Sequence, residues 1–196
     1  MAEKLFEVDY SDFKNIQKAA EVMPREARAA LANALNRTAT KTVTYAHDAV
    51  IDNYTLKRKA IKQTMSIKKA NQSRLEAVVT STDKRTMITG FSYGKQGKNR
   101  IAQPEIIRGR KVLSKSNPPL FVGRGKGHGK QMIFRREAPG SNKLKVGYSV
   151  GIPQMIKNEK SWEYIGMKAG LFLQQRFEHE FEQKLIRTLT KYSDKR

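Results

Sequence analysis

Glycines alternate with basic residues in the run 123–130, and glycine-rich loops of this kind can cradle phosphates in nucleotide-binding proteins. The spacing does not fit that chemistry. A phosphate loop needs a glycine five residues before Gly129, where this sequence has Arg124, and a Ser or Thr where it has Gln131. The dinucleotide-binding spacing also fails, because a histidine or a lysine stands where its last glycine belongs. The run therefore predicts a loop that becomes ordered against a partner.

The three histidines do not form a metal-binding or catalytic pattern. His179 begins a segment like the helix of zinc proteases, but Gln183 stands where the second histidine belongs. His47 falls within a helical pattern, His128 falls in the glycine run, and the chain has no cysteine. We therefore predict no catalytic, cofactor-binding or metal-ligating residue and no enzymatic activity. A small metal-free nuclease using His128 is the alternative.

The clearest chemical signal is positive charge. The chain has a formal net charge of +21, and residues 84–136 hold fourteen Lys or Arg side chains but a single acid, Glu105. Cations at this density cannot form a core, so they either face solvent or neutralise phosphates or an acidic protein face. The predicted nucleic-acid-binding or partner-binding residues are Lys95, Lys98, Arg100, Arg108, Arg110, Lys111, Arg124, Lys126, Lys130, Arg135 and Arg136.

Aromatic residues are interleaved with these cations. Phe91, Tyr93, Phe121 and Phe134 have the distribution expected of side chains that stack on bases. Packing in the core of a sheet would give the same pattern, and we favour that interpretation.

Two long helical patterns flank the basic segment. Apolar and small residues recur three or four apart over residues 24–53, and again over residues 161–189. A short basic helix over residues 56–65, capped by Thr55, should follow the first of them. Two earlier elements are predicted, a strand over residues 6–10 and a helix over residues 12–22.

The region between the helices has strand signals. We predict that the strand over residues 75–82 forms a hairpin with residues 86–91, and that residues 94–104 and 123–131 are flexible loops. Further strands are predicted over residues 106–113, 120–122, 132–135 and 144–150, the last two joined by a turn at residues 139–142.

These elements predict an α+β fold in one structural domain spanning residues 1–196. It would comprise a helical region 11–65, a β-rich basic region 75–150 forming a mostly antiparallel sheet, and a C-terminal helix 161–189 that flanks the sheet together with the first long helix.

The apolar stripes of the helices exceed what one sheet should cover, which predicts a homo-oligomer. The predicted helix-packing or subunit-contact residues are Leu31, Leu35, Ala46, Phe172, Phe177 and Phe181. No stretch is long enough to span a membrane, and no membrane partner is expected.

Several segments, taken in order, resemble the minor tail protein Z family of tailed bacteriophages. They are Ala34-Leu-Asn-Arg-Thr-Ala39, Tyr54-Thr-Leu-Lys-Arg-Lys-Ala-Ile-Lys, Ile67-Lys-Lys-Ala70, Ile133-Phe-Arg-Arg136 and Gly147-Tyr-Ser-Val-Gly-Ile-Pro-Gln-Met-Ile156. The resemblance covers roughly residues 8 to 190 and depends on the order and spacing of the segments, since each alone is weak. The glycine-basic run departs from the family by being richer in glycine and charge.

The resemblance implies a virion structural protein that completes the tail at the head–tail junction, or neck, and helps position the DNA. It would be assembled in the host cytoplasm beside tail-terminator, tail-tube and head-completion proteins, with double-stranded DNA or an acidic protein against its basic region. It implies no catalytic residue and no cofactor. The alternative is a cellular non-specific nucleic-acid-binding protein associated with RNA or the ribosome.

Overall fold

The structure, a computed structural model, describes residues 25–82, 85–96, 101–111, 117–124 and 131–193. They form an α+β fold that divides into two compact units. The helical unit draws on the described residues of 1–46, 65–82 and 159–196, and the sheet unit on those of 47–64 and 83–158. The prediction of one domain over residues 1–196 stays a prediction. The predicted strand 6–10 and helix 12–22 lie outside the described residues.

Helix α1 spans Arg25–Asn53 and confirms the first long helical pattern. Its buried positions are mostly alanine, leucine and threonine, and Glu26 lies in its first turn, where a carboxylate interacts favourably with the helix dipole. At its end the backbone N–H of Tyr54 donates to the carbonyl of Val50, and the Asn53 side chain donates to the carbonyl of Ala49. Helix α1 contributes residues to both units.

The helical unit combines part of α1 with two short strands and the long helix α4, Glu159–Ser193. Strand β1, Met65–Lys68, pairs antiparallel with β2, Val78–Ser81. In this unit's core, Leu31, Leu35 and Ala70 pack with Leu173. Helix α4 confirms the second long pattern and extends it at both ends.

The hairpin predicted for residues 75–82 and 86–91 is wrong. Strand β2 pairs with β1, a segment for which we predicted no strand. Residues 86–91 instead hold an isolated bridge between Met87 and Tyr148 and a single 3-10 turn, Ile88–Gly90. The two strands pair because each alternates between more buried and less buried side chains, and in the observed register the more buried residues of β1 lie opposite those of β2.

The sheet unit is built on an antiparallel sheet, as predicted. The strands lie in the order β3-β4-β6-β7-β8, with β5 pairing with β4. Their bounds are β3, Ser92–Gln96; β4, Ile101–Ile107; β5, Arg110–Lys111; β6, Phe121–Arg124; β7, Gln131–Arg136; and β8, Leu144–Val146. A continuous row of mutually paired residues crosses four of these strands, and we call Ile101, Phe121, Phe134 and Val146 the cross-strand row.

The predicted loops 94–104 and 123–131 are wrong at their ends, which belong to strands β3, β4, β6 and β7. Strand β3 has few β-branched residues and exists through its pairing with β4. Pro104 is tolerated within β4 because β4 pairs with β6 only at Ile101 and with β5 only from Glu105 onward. The strand predicted over 106–113 is likewise interrupted by the turn between β4 and β5, and that over 144–150 ends at Val146.

The core of the sheet unit forms on one face of the sheet, where Ile88, Ala102, Val122 and Ile133 pack together. Gly147 lies at a close approach in this core: its N–H donates to Ile133, its carbonyl accepts from Ile88, and a Cβ there would come within 3.0 Å of the Ile88 side chain. A short helix that we did not predict, α3, Ile152–Ile156, follows and buries four of its five residues.

The short basic helix is smaller than predicted and is not capped by Thr55. Helix α2 spans only Arg58–Lys62, and Lys57 stands at its N-cap without a side-chain hydrogen bond. The Thr55 hydroxyl instead donates to the carbonyl of Glu105 and accepts from the N–H of Ser92. Thr55 therefore joins the end of α1 to strands β3 and β4 within the sheet unit.

Candidate nucleic-acid interface

The predicted cations are spread along the sheet on both sides of the cross-strand row. Arg124 lies three residues from the row, counted along β6 from Phe121. Arg110 lies on the opposite side of the row, because it pairs with Ile107, which is six residues along β4 from Ile101. Since a strand rises about 3.3 Å per residue, these nine steps separate the two arginines by about 30 Å along the sheet. The structure therefore does not gather the described cations into one cluster.

On the Arg124 side of the row, two strand pairs end at the same edge. Gln96 pairs with Ile101, and Arg124 pairs with Gln131. The sequence between the members of these pairs carries the predicted residues Lys98, Arg100, Lys126 and Lys130, which lie outside the described residues. Arg124 is exposed.

On the other side of the row lie the remaining described cations. The backbone of Lys95 pairs with Ala102, that of Lys111 pairs with Glu105, and Arg110 is exposed beside Ile107. Exposed Arg135 lies directly opposite Lys145, whose ammonium forms a 2.7 Å salt bridge with Glu137. Two cations facing each other across strands repel, so Glu137 offsets part of that repulsion.

Two of the predicted cations are held by the protein itself. The Arg108 guanidinium donates to the carbonyl of Ile51 at 2.7 Å, and its backbone N–H donates to Asn53, so this arginine satisfies carbonyls at the end of α1. The following Gly109 has a φ of 78°, which favours glycine, and its N–H donates to the Glu105 carboxylate. Arg136 donates to the carbonyl of Ser141 at 2.6 Å and closes the β7–β8 hairpin.

The aromatic residues divide between the two faces of the sheet. Phe91 is buried, and Tyr93 packs against the core cluster of the sheet unit. Phe121 and Phe134 lie on the opposite face as a cross-strand pair whose ring centroids are 6.1 Å apart. The Phe134 ring lies so close to Gly123 that a Cβ there would come within 3.1 Å of it. This packing gives both rings a structural role that does not depend on a nucleic-acid base.

The predicted subunit-contact residues are mostly buried within the chain. Leu31, Leu35 and Ala46 are fully buried, and Phe177 packs against the core cluster that contains Leu31 and Leu35. Phe172 and Phe181 are half-buried. Among the side chains of α4 that the structure describes, the exposed large apolar ones are others, namely Trp162, Met167, Leu171, Leu185 and Ile186.

Sequence reasoning missed two polar contacts that fix the helical unit. The Asn36 side chain donates to the carbonyl of Ala70 at 2.9 Å and accepts from its N–H at 2.7 Å. Arg37 forms a 3.0 Å ion pair with buried Glu180. Both residues belong to the segment Ala34-Leu-Asn-Arg-Thr-Ala39, and an asparagine between buried apolar residues of a helix is the signal that could have predicted such a partner.

Among the described residues, no group of three or more His, Cys, Asp or Glu side chains could hold a metal ion. In the same ranges, no helix has the length and hydropathy needed to cross a membrane. The exposed cations can contribute charge and hydrogen-bond donors to an anionic partner, which is the chemistry that this surface offers. Comparison with known proteins gives no match to a family model, a curated protein or a solved structure.

Proposed function

We propose that this chain is a structural component of a bacteriophage tail that acts at the head–tail junction, where its sheet unit faces an anionic partner, the viral DNA. The observation that carries the proposal is that Arg124 and Arg135 are exposed on the same face of an antiparallel sheet, two residues from Val122 and Ile133, and that exposed Arg110 extends the row of cations to about 30 Å along the sheet. The resemblance to the minor tail protein Z family, which depends on the order and spacing of five sequence segments, supports the assignment to a virion.

The spacing of the arginines suits a long polyanion. Duplex DNA carries one charge per about 1.7 Å of its axis, so a span of about 30 Å faces many phosphates. The spacing also exceeds the Debye length of about 8 Å at physiological ionic strength, so each arginine acts on its own neighbouring phosphates. Binding of this kind is insensitive to sequence, as a protein at a DNA channel requires.

Contacts between subunits would use the outward side of α4. Met167 and Leu171 lie one helical turn apart and are 59% and 55% exposed, and Leu185 and Ile186 are 46% and 56% exposed. Exposed apolar side chains that recur on one helix mark a surface that another protein covers. We assign this surface to a second copy of the chain in the assembled virion, in place of the buried residues Leu31 and Leu35.

The test is to locate the protein in particles made by the genome that encodes it. Mass spectrometry of purified virions should detect the chain, and antibody labelling should place it at the junction of head and tail. A genome in which its coding sequence is interrupted should give non-infectious particles that the intact gene restores. Absence of the chain from purified, infectious particles would contradict the proposal and favour a cellular nucleic-acid-binding protein.

A further inference from the structure

A polar pocket in the helical unit has a composition that neither the sequence patterns nor the proposed function explains. It lies between α1 and α4, with a volume of about 170 Å³, and is lined by Asn33, Arg37, Arg176, His179, Glu180, Gln183, Lys184 and Arg187. A single ordered water needs only about 10–15 Å³ of such space, so the pocket can hold a group of several heavy atoms.

Glu180 organises one wall of this pocket. Its side chain is only 11% exposed, and its carboxylate meets Arg37 at 3.0 Å and Arg176 at 3.1 Å. The same carboxylate accepts from the side-chain amide of Asn33 at 3.4 Å. Because one buried acid holds two guanidinium groups from different helices, their positions are fixed before any ligand arrives.

The pocket carries more positive charge than Glu180 can neutralise. The three arginines Arg37, Arg176 and Arg187 face one carboxylate, which leaves a formal excess of two positive charges among these groups, and Lys184 also lines the pocket. An arginine has five N–H donors. The ion pair with Glu180 joins the Nε of Arg37 to the carboxylate, and the Arg37 side chain is 58% exposed. Donors therefore remain accessible to an incoming acceptor.

A second feature also calls for an acceptor. The Nε of Arg176 is buried and has no hydrogen-bond partner within the described part of the chain. A buried donor on a charged group is costly when it lacks an acceptor, so negative charge in the adjacent pocket would stabilise the Arg176 guanidinium even though a ligand there would not touch the Nε itself.

From the charge excess, the fixed guanidinium groups and the Arg176 Nε, we infer that this pocket binds a phosphate-type oxyanion. A phosphate group offers several acceptor oxygens that several donors can engage at once, and arginine binds it through paired N–H groups. The oxyanion is either free inorganic phosphate or a terminal phosphate of a nucleic acid. The site lies in the helical unit and uses none of the sheet arginines, so it goes beyond the proposed function and can be tested apart from it.

The test is a titration of the full chain with inorganic phosphate at constant ionic strength, followed by NMR of the arginine side-chain N–H signals. Saturable shifts are expected in the native protein. The double variant Lys184→Gln with Arg187→Gln leaves Arg37, Glu180 and Arg176 in place and should weaken binding by about tenfold or more, since it removes hydrogen bonds from charged donors. Circular dichroism verifies that the variant is folded.

A matched control removes charge from the same helix away from the pocket. The double variant Lys160→Gln with Lys168→Gln removes the same charge from exposed residues of α4 and should leave the phosphate affinity within about twofold of the native value. Absence of saturable binding, or equal losses in the pocket variant and the control, would overturn the inference.

Competition with an oligonucleotide distinguishes the two sources of phosphate. If an oligonucleotide with a 5′-phosphate displaces inorganic phosphate and its unphosphorylated counterpart does not, the site takes a nucleic-acid terminus. If neither displaces it, the site takes free phosphate. Displacement by both to the same extent, and equally in the pocket variant, would show that only general charge attraction operates and would overturn the inference.

Discussion

The helical unit and the sheet unit use their basic residues in different ways. In the helical unit, Arg37 and Arg176 are tied to buried Glu180 between two helices. In the sheet unit, Arg110, Arg124 and Arg135 are exposed on separate strands. The comparison teaches that net charge alone does not locate an interface, because an arginine tied to an internal partner and an arginine without such a tie look alike in the sequence.

The difference also holds within the sheet unit. Arg108 and Arg110 are two residues apart in sequence and both are exposed, yet Arg108 donates to the carbonyl of Ile51, whereas Arg110 lies on β5. The turn at Gly109 separates their roles. Variants can therefore be chosen to remove structural and exposed arginines separately.

The largest expected effects come from the two cores. Leu173→Ala in the helical unit and Ile133→Ala in the sheet unit each delete a fully buried side chain and should each cost about 2–5 kcal/mol of unfolding free energy. The single tryptophan, Trp162, lies in the helical unit and reports its unfolding by fluorescence, while circular dichroism reports both units. We expect Leu173→Ala to lower the denaturation midpoint reported by Trp162 more than Ile133→Ala does.

Equal shifts of the Trp162 transition in both variants would contradict the expectation that the two units unfold separately. That result would mean that the two units unfold as one cooperative body. Met167→Ala, on an exposed position of α4, is the control and should leave the midpoint nearly unchanged in either case.

The next effect concerns Asn36. Asn36→Ala removes both hydrogen bonds to Ala70 and leaves a part-buried N–H and carbonyl without that partner, which should cost about 1–3 kcal/mol. Thr40→Ala, one turn further along α1 at an exposed position, serves as the matched control. Urea denaturation measures both; a loss no greater than that of the control would remove Asn36 from the contacts that stabilise the helical unit.

A smaller effect separates Arg108 from its exposed neighbour. Arg108→Gln should destabilise the sheet unit by about 0.5–2 kcal/mol, because it removes charged donors from the carbonyl of Ile51. Arg110→Gln should leave stability within about 0.5 kcal/mol of the native value. Thermal denaturation followed by circular dichroism compares the two; equal stability would mean that the Arg108 contact contributes nothing measurable.

The sequence was sufficient to predict what depends on local periodicity and composition. The long patterns of α1 and α4 and the antiparallel strands β7 and β8 were predicted at or near their positions. Long-range pairing was not predictable in the same way. Strand β1 follows the α2 turn directly, and its exposed Ser66 and Lys68 obscured a strand that exists only because β2 pairs with it.

The candidate site illustrates the same limit. The density of cations in the basic region was plain from the sequence, but which of them the protein itself holds depends on strand register and on contacts with distant carbonyls. Arg108 could not be distinguished from Arg110 by its type or neighbours, since its partner Ile51 is 57 residues away in sequence. The sequence around Glu180 matches only part of a zinc-protease motif and does not indicate the partners of Glu180, because Arg37 and Asn33 lie on another helix.

The central claim is that the exposed arginines of the sheet unit bind DNA, and its most direct test is to measure the affinity for duplex DNA over a range of salt concentrations. The native chain should bind duplex DNA of every sequence alike. The triple variant Arg110→Gln, Arg124→Gln, Arg135→Gln should bind more weakly. Its slope of log affinity against log salt should be smaller in magnitude by about 0.9 for each phosphate that the variant no longer neutralises. The control triple variant Lys69→Gln, Lys160→Gln, Lys168→Gln removes the same charge from exposed positions of the helical unit and should keep the native slope. Equal weakening in both triple variants, or no DNA binding by the native chain at low salt, would contradict the claim. If the native chain binds no DNA but is still incorporated normally into virions, the sheet faces an acidic protein partner instead.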